Sequence, residues 1–575
     1  MLQRTAPLPA AGLLLLALIG QSCHKDIDEM SAPHSSPMSA DATVADYATY
    51  TLQCQVGNKF VQVAGDTLQN QKFADGAPLQ QAGALSTGKN GAWQQWSLVY
   101  RTSVGKARYY QVRNLFSGKL LSSPSNTDGA PLVQQGEAAT LADQQLWQVS
   151  KVDSSGASRY RLLNKGNGLA VTNHNASTSD NTTITQEKLR PLWSRQCWAF
   201  SLQAVQSYRD DQVVRFFERN DLSQGSMAFD GGVSIPLSDG RVLWTTSDAY
   251  DGQSLVSNET HFIKNNNWIA YRNTALMQPT ATNWNNLATP NLTDASRPNN
   301  WTTWYARSIF NAPEAVYPNG PFAWPYAGIE VGNHVYVQAG EGNMAADAAT
   351  QQQLGQTGQA IYDLTEAGGT NWAPSVRIVP NGFGADTPCN YNAGMVKGAD
   401  GYIYAYGATY NWGDDVYVAR FQPNADSVRT GWRYWNGTGW AKNPSKSSAA
   451  IVTKAVSSTS VSYVNGKYVA ISMDVSWDCD AGKPFIFVST STSPTGPFSP
   501  KTKVYSIAEY QYGKRARAYC LHTHPQAVNG RNELLITYSM IFNDGNCAVA
   551  SPSGLLDPYF YRLKGVRIPY SLMGL

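Results

Sequence analysis

Three copies of one short signature, Gln94-Gln95-Trp96, Gln145-Leu146-Trp147 and Gln196-Cys197-Trp198, set their tryptophans 51 residues apart. A spacing that regular means three tandem structural units. Upstream of each tryptophan lies a turn with a short strand: Asp75-Gly76-Ala77-Pro78-Leu79-Gln80-Gln81, Asp128-Gly129-Ala130-Pro131-Leu132-Val133-Gln134-Gln135, and the weaker Asp180-Asn181-Thr182-Thr183-Ile184-Thr185-Gln186. Earlier still, a turn with Asn or Gly opens another strand at Asn58-Lys59-Phe60-Val61, Gly118-Lys119-Leu120-Leu121 and Gly168-Leu169-Ala170-Val171. Asp-Gly turns between apolar runs mark hairpins, because glycine accepts positive φ without steric cost. A unit of about fifty residues buries little surface alone, so the three must close around one shared core.

These repeats, from about Ala45 to about Ala204, resemble the ricin-type β-trefoil lectins, whose three lobes each carry Gln-x-Trp. The resemblance implies an N-terminal β-trefoil over residues 45–204 and a glycan as partner. In that family a sugar-binding lobe carries an Asp on the strand after its opening turn. The matching positions here are Gln62, Ser122 and Thr172, none of which accepts hydroxyl hydrogen bonds as a carboxylate does. A glycan-binding module and a spacer both remain open for this segment.

At 575 residues the chain should hold two or more domains. Net charge is +3, from 44 basic and 41 acidic residues. The tight basic cluster Lys514-Arg515-Ala516-Arg517 is too short for a nucleic-acid surface and reads as a solvated loop. Aromatic residues make up 11% of the chain, with 17 Trp and 31 Tyr. With frequent Gly and Asn, that profile favours an all-β chain whose flat aromatic faces suit sugar rings.

The N-terminus reads as an address. Arg4 precedes the apolar run from Ala11 to Ile19, too short to span a bilayer and shaped like a signal peptide. The following Gly20-Gln21-Ser22-Cys23 looks like a loose bacterial lipoprotein cleavage box. The expectation is therefore a leader over 1–22, lipidation at Cys23, a flexible tether over 23–44, and export to the outer membrane or cell surface on a lipid anchor. An ordinary secretory signal with an incidental cysteine is the alternative. The other cysteines, Cys54, Cys197, Cys389, Cys479, Cys520 and Cys547, show no C-x-x-C spacing, and neither a metal nor another cofactor is expected. An oxidising compartment favours bridges. Cys54 and Cys197 are the best pairing, near first and last strands that become neighbours when the lobes close; the remaining four would pair among themselves.

From Phe229 onward short β-rich runs alternate with turns. Five hairpins stand out: Val233–Leu237 before Val242–Thr246, Gly328–Val331 before Val335–Gln338, Gly394–Lys397 before Tyr402–Tyr406, Ser460–Tyr463 before Lys467–Ser472, and Pro525–Val528 before Glu533–Tyr538. The last four begin 66, 66 and 65 residues apart, after a longer first step of 95. Five such hairpins fit radial repetition, in which each blade buries its faces against its neighbours. Residues 205–575 are thus expected to form a five-bladed β-propeller, with a β-sandwich carrying long insertions as the competing architecture.

The first blade holds the chemistry. A two-residue turn at Asp239-Gly240 would place residue 230 opposite 249 and residue 231 opposite 248, bringing Asp230 and Asp248 to one end of a hairpin. The innermost strand of a blade lines the central channel, so that end is a natural pocket. Two adjacent carboxylates suit glycosidic cleavage, one protonating the leaving oxygen while the other activates water or attacks the sugar carbon. Repulsion between them raises one pKa and keeps that group protonated. Caps on strand ends are the plainer reading of both aspartates.

The run from Phe229 to Trp244, followed by Asp248, is similar to the opening blade of a bacterial family once known only as a domain of unknown function. Some of its members are endo-D-arabinanases, five-bladed glycoside hydrolases. Further matches follow in order: Trp324-Pro325-Tyr326-Ala327-Gly328, the segment from Trp432 to Trp440, Ser493-Pro494-Thr495-Gly496-Pro497-Phe498, and His524-Pro525. The resemblance implies catalytic aspartates at Asp230 and Asp248. It also brings a departure, since the second-blade motif usually reads Trp-Pro-Gly-Asp-Gly and Ala327 replaces its Asp. Glu330 lies nearby but should face the other side of a strand from Ala327.

Substrate-contact candidates are Trp324, Glu330, His524 and Trp435, with Trp412 and Trp440 as further stacking platforms. His522 and His524 share one strand face. Asp474, Asp478 and Asp480 near Cys479 read as a solvated loop rather than a calcium site. Two functions compete: a surface-anchored glycoside hydrolase acting on an arabinan-like or other furanose-containing polysaccharide, and a non-catalytic glycan-binding lipoprotein.

Overall fold

The computed structural model describes residues 44–85, 91–152, 158–191, 193–219, 228–250, 255–256, 259–263, 272–292, 308–317, 320–346, 353–365, 376–384, 386–409, 415–446, 448–453, 458–474, 485–511, 513–541 and 557–575. Cys23, the leader, Trp412, Asp478, Cys479, Asp480 and Cys547 lie outside the described residues. Within them the chain is all-β apart from 3-10 turns and two short α-helices, Asp211–Phe216 and Ala425–Thr430.

The Gln-x-Trp repeats build a closed six-stranded barrel. Strand Thr49–Cys54 pairs with Gln95–Val104 and Trp198–Leu202, and Ala107–Asn114, Trp147–Val152 and Arg159–Asn164 complete the ring. Three hairpins cap it: Phe60–Val63 with Leu79–Ala82, Leu120–Ser122 with Val133–Gln135, and Ala170–Asn173 with Ile184–Glu187. The recurring residues do the same work in each lobe. Trp96, Trp147 and Trp198 are fully buried, and their indole N–H groups donate to the carbonyls of Val61, Leu121 and Val171 at 3.1, 2.9 and 3.1 Å. Gln94, Gln145 and Gln196 donate to the side chains of Gln62, Ser122 and Thr172 at 3.0, 3.3 and 3.1 Å. The turn aspartates tie each lobe to the next: Asp75 accepts from the Gly136 N–H, Asp128 from Lys188 and Asp180 from Gly83, each at 2.8 Å. An ionised acceptor strengthens each of these bonds, and together they close the cycle.

The Cys54–Cys197 bridge does not form, and Cys389 and Cys520 are also free thiols. The barrel register explains it. Cys54 stands opposite Trp198, so Cys197 is one residue out of phase and its side chain projects to the other face. Cys54 belongs to the barrel core, whereas the Cys197 thiol lies 3.5 Å from the Trp193 carbonyl.

Beyond the barrel, five antiparallel sheets stand in a ring. Their innermost strands are Ala228–Pro236, Pro321–Val331, Asn390–Lys397, Thr459–Val464 and Arg517–His524, each touching the next and the last returning to the first. Four of the five expected hairpins fall within the first two strands of a blade. The fifth is displaced: Pro525–Val528 is turn, and the inner strand is the preceding run ending at His524. Pro525 has no N–H to give a ladder. Arg517, expected in a solvated loop, opens that strand and is buried.

The ring closes through the start of its own sequence. Strand Tyr208–Arg209 pairs with Lys564–Pro569 as the outer strand of the fifth blade. Arg209 and Glu509, 2% and 1% exposed, form an ion pair, and the Glu509 carboxylate also accepts from the Tyr559 hydroxyl at 2.9 Å. The Arg209 guanidinium lies 4.3 Å from the ring centre of Phe73, a barrel-side residue. Lys119 bridges Asp75 and Asp211 at 2.9 and 3.0 Å, and Arg215 joins the same two carboxylates. Replacing Arg209 by Met strands a buried carboxylate and should cost about 3–5 kcal/mol. A urea titration should show that loss, and the double variant Arg209→Met/Glu509→Gln should recover most of it.

Candidate functional site

The first-blade hairpin turns through three residues, not two. Leu237 N–H donates to the Arg241 carbonyl and Gly240 N–H to that of Leu237, with Gly240 at φ 89°. The register therefore runs Pro236 opposite Val242 and Ile235 opposite Leu243, one residue from expectation. Nearer the carboxylates the ladder is interrupted twice. Phe229 pairs with Ala249 and Gly231 with Thr246, which leaves Asp230 against Ser247 and Asp248; Val233 then pairs with Thr245, the extra residue now being Gly232. Gly231 and Gly232 carry this at φ 79° and 105°. A Cβ on Gly232 would come within 2.2 Å of Leu563, so only glycine fits. The two opposed bulges set Asp230 directly beside Asp248.

Their surroundings differ. Asp248, 8% exposed, accepts from Arg272 on Oδ2 and from the Trp324 indole on Oδ1, both at 2.9 Å. Asp230 accepts two phenolic hydroxyls on Oδ2, Tyr519 at 2.6 Å and Tyr561 at 3.0 Å. Its Oδ1 has no hydrogen-bond partner among the described residues. Burial, and then the negative charge of Asp248, lift the Asp230 carboxyl to about 7, against the pull of the two tyrosines and Arg272. Burial lifts Asp248 too, opposed by Arg272 and the Trp324 indole. The pair titrates as a unit, and the larger upward push falls on Asp230.

Of the residues singled out from sequence, Trp324 joins the pair directly. Glu330 does not. It accepts from the Ser238 N–H and hydroxyl at 2.6 and 3.1 Å, fastening the turn at the opposite end of the hairpin. Nor does His524, which is fully buried on Trp244, its two ring nitrogens bonded to Ser234 at 2.5 Å and Thr537 at 2.7 Å. Trp435 lies on the fourth strand of the third blade, paired with Trp440 far out from the ring centre, because the turn at Asn436-Gly437 returns the chain along the blade rim. Ala327 is buried just past an irregularity in the second blade. Arg272, Tyr519 and Tyr561 carried no motif. Placing the fifth inner strand upstream of Pro525 would have put Tyr519 on a channel strand, but nothing in the sequence marks Arg272 or Tyr561.

A cavity of about 370 Å³ runs along the ring axis, lined by all five inner strands. Its lining starts at Val233 and Tyr326, further along those strands than Asp230 and Trp324, so it lies beneath the carboxylate pair.

Residues 210–566 match a family described as a domain of unknown function (DUF5005), and residues 92–187 match one described as ricin-type beta-trefoil lectin domain-like. No curated protein matches the chain. Among solved structures, a Bacteroides ovatus protein provisionally described as a hydrolase is 19% identical over 63% of this chain and 90% of its own, with a TM-score of 0.48. The designed three-fold symmetric protein ThreeFoil is 28% identical over 27% of this chain and 99% of its own, TM-score 0.22. A ricin B-like lectin of Macrolepiota procera in complex with lactose is 16% identical over 28% of this chain and 99% of its own, TM-score 0.21.

Asp230 holds its proton up to about pH 7 when folded, against 3.8 for an ordinary aspartate. The folded state thus binds the extra proton between those values, and stability present below the lower one is lost as pH rises through the upper. Asp230→Asn keeps the neutral form at every pH. Thermal melts should show it matching the wild type near pH 3, below the ordinary aspartate value, and exceeding it near pH 8 by roughly a few kcal/mol.

Proposed function

The chain belongs to the family described as a domain of unknown function (DUF5005), and on that premise we propose that it is a glycoside hydrolase whose acid is Asp230. Asp248 is its ionised partner, acting as base or nucleophile. The observation that carries this reading is the unequal setting of two adjacent carboxylates: one is pushed up by burial and its neighbour's charge and has an oxygen with no hydrogen-bond partner among the described residues, the other faces a guanidinium and an indole N–H. Such a division is what protonating a leaving oxygen while supplying a negative charge requires. The substrate is an arabinan-like or other furanose-containing polysaccharide, on the strength of the first-blade and second-blade motifs. Residues 45–204 form the appended lectin-type domain and 205–575 the catalytic propeller, carried at the cell surface by a lipid on Cys23.

A second reading, non-catalytic glycan capture, is favoured by Ala327, which puts no carboxylate where relatives have one, while Glu330 is engaged with Ser238. Within the lectin-type domain, Gln62, Ser122 and Thr172 are buried against the Gln-x-Trp glutamines, which favours a spacer.

Purified protein should release oligosaccharides from at least one member of a polysaccharide panel rich in furanose linkages. Asp230→Asn and Asp248→Asn should each lower the rate by about 10²–10⁴-fold. The rate should fall as pH rises past about 7, where Asp230 loses its proton. Release of nothing by the wild type, with unchanged glycan binding by both variants, would leave capture as the function.

A further inference from the structure

Each innermost strand of the propeller ends its sheet, so one edge of its backbone faces the axial cavity. Edge N–H and C=O groups need partners; the neighbouring blade supplies some, Leu521 N–H donating to Ser458 Oγ and Thr523 N–H to Ser460 Oγ at 2.7 and 3.2 Å, and the contents of the channel can supply others. Two side chains add to that demand. Ser462 is 4% exposed and lines the cavity, and its Oγ has no hydrogen-bond partner among the described residues. His522 is 7% exposed and lines the same space, and its Nε2 likewise has none. Two residues that line one cavity and each hold an unpartnered polar atom point to a ligand there.

The lining defines the chemistry. Burial pushes His522 down to about 4, so it is a neutral donor or acceptor. Glu330 is bound to Ser238, and Lys397 is exposed at the rim beside exposed Pro236, on the end away from the carboxylates. No charge inside the cavity stands ready to hold an ion. Tyr326 and Tyr463 supply flat walls. The volume of about 370 Å³ falls at the small end of the ~300–1,000 Å³ that ligand pockets span.

We propose that the channel end remote from Asp230 and Asp248 is a second ligand site, which takes one uncharged polyhydroxylated molecule the size of a pentose or hexose. Ser462 and His522 bind its hydroxyls, and the free strand edges complete the shell. The site does not depend on hydrolysis by the aspartate pair.

Titration calorimetry on the full chain, with D-arabinose, L-arabinose, D-xylose and D-glucose as probes and D-glucuronate and calcium chloride as charged comparisons, tests this. At least one neutral sugar should bind. His522→Phe should weaken it at least tenfold and Ser462→Val several-fold, while Asp248→Asn leaves it unchanged. Ser462→Val, close in shape to the native residue, keeps the test open if His522→Phe fails to fold. Binding of no neutral sugar, binding indifferent to both channel substitutions, binding lost in Asp248→Asn, or a channel-dependent preference for the charged probes would each overturn the proposal. None of these results bears on whether Asp230 and Asp248 cleave a polysaccharide.

Discussion

The ion pair between Arg209 and Glu509 is where three parts of the molecule meet. Arg209 belongs to the short strand that shuts the ring, Glu509 follows the fourth blade, and the guanidinium lies over Phe73 of the barrel. Such a pair is costly to bury and costlier to break. It gives the strand from 208 to 209, too short to hold itself by two ladder positions, a reason to stay. With that strand in place the five inner strands remain a closed circle, and the hairpin carrying Asp230 is held between the second and fifth blades, which supply Trp324 and Tyr519.

Much of the fold was legible because it is written in repeats. Gln-x-Trp at a constant interval reports a three-lobed barrel, since each copy fills one equivalent hole: tryptophan in the core, glutamine across to the neighbouring strand. Even the turn aspartates, recognisable only as turn formers, prove to be the bonds from lobe to lobe. The even spacing of four hairpins likewise gave the blade count. The spacing alone did not reveal which strand of the fifth unit is innermost, because the second strand, from Glu533, keeps the step of the blades before it while the turn at Pro525 displaces only the first. The bridge between Cys54 and Cys197 failed for a finer reason. Adjacent strands bring two cysteines near, but register decides whether they face each other, and period-two alternation separates residues that are one position out of phase.

The site was legible where it is local. Asp230 and Asp248 share one hairpin, and only its turn length and two bulges stood between pattern and geometry. Two errors acted there, a three-residue turn in place of two and a pair of opposed bulges, and the carboxylates still meet. Residues drawn from other blades were harder. Arg272, Tyr519 and Tyr561 arrive by ring closure, over sequence separations that no local periodicity records. His524 and Trp435 are side chains of kinds that commonly bind sugars, yet packing uses one as a neutral core wedge and the other as rim.

Arg209 pairs with Val566, a partner that lies 357 residues further along the chain (566 − 209). At the ~5–20 residues per second of protein synthesis, roughly 20–70 s separate the appearance of the two. The barrel is whole once residue 202 has emerged, and it can fold while the propeller is still being made. The outer strand of the last blade is thus the first part of the propeller to exist and the last to find its sheet. Phe73, over which the guanidinium lies in the finished molecule, is made 436 residues before Glu509 (509 − 73), the carboxylate that pairs with Arg209.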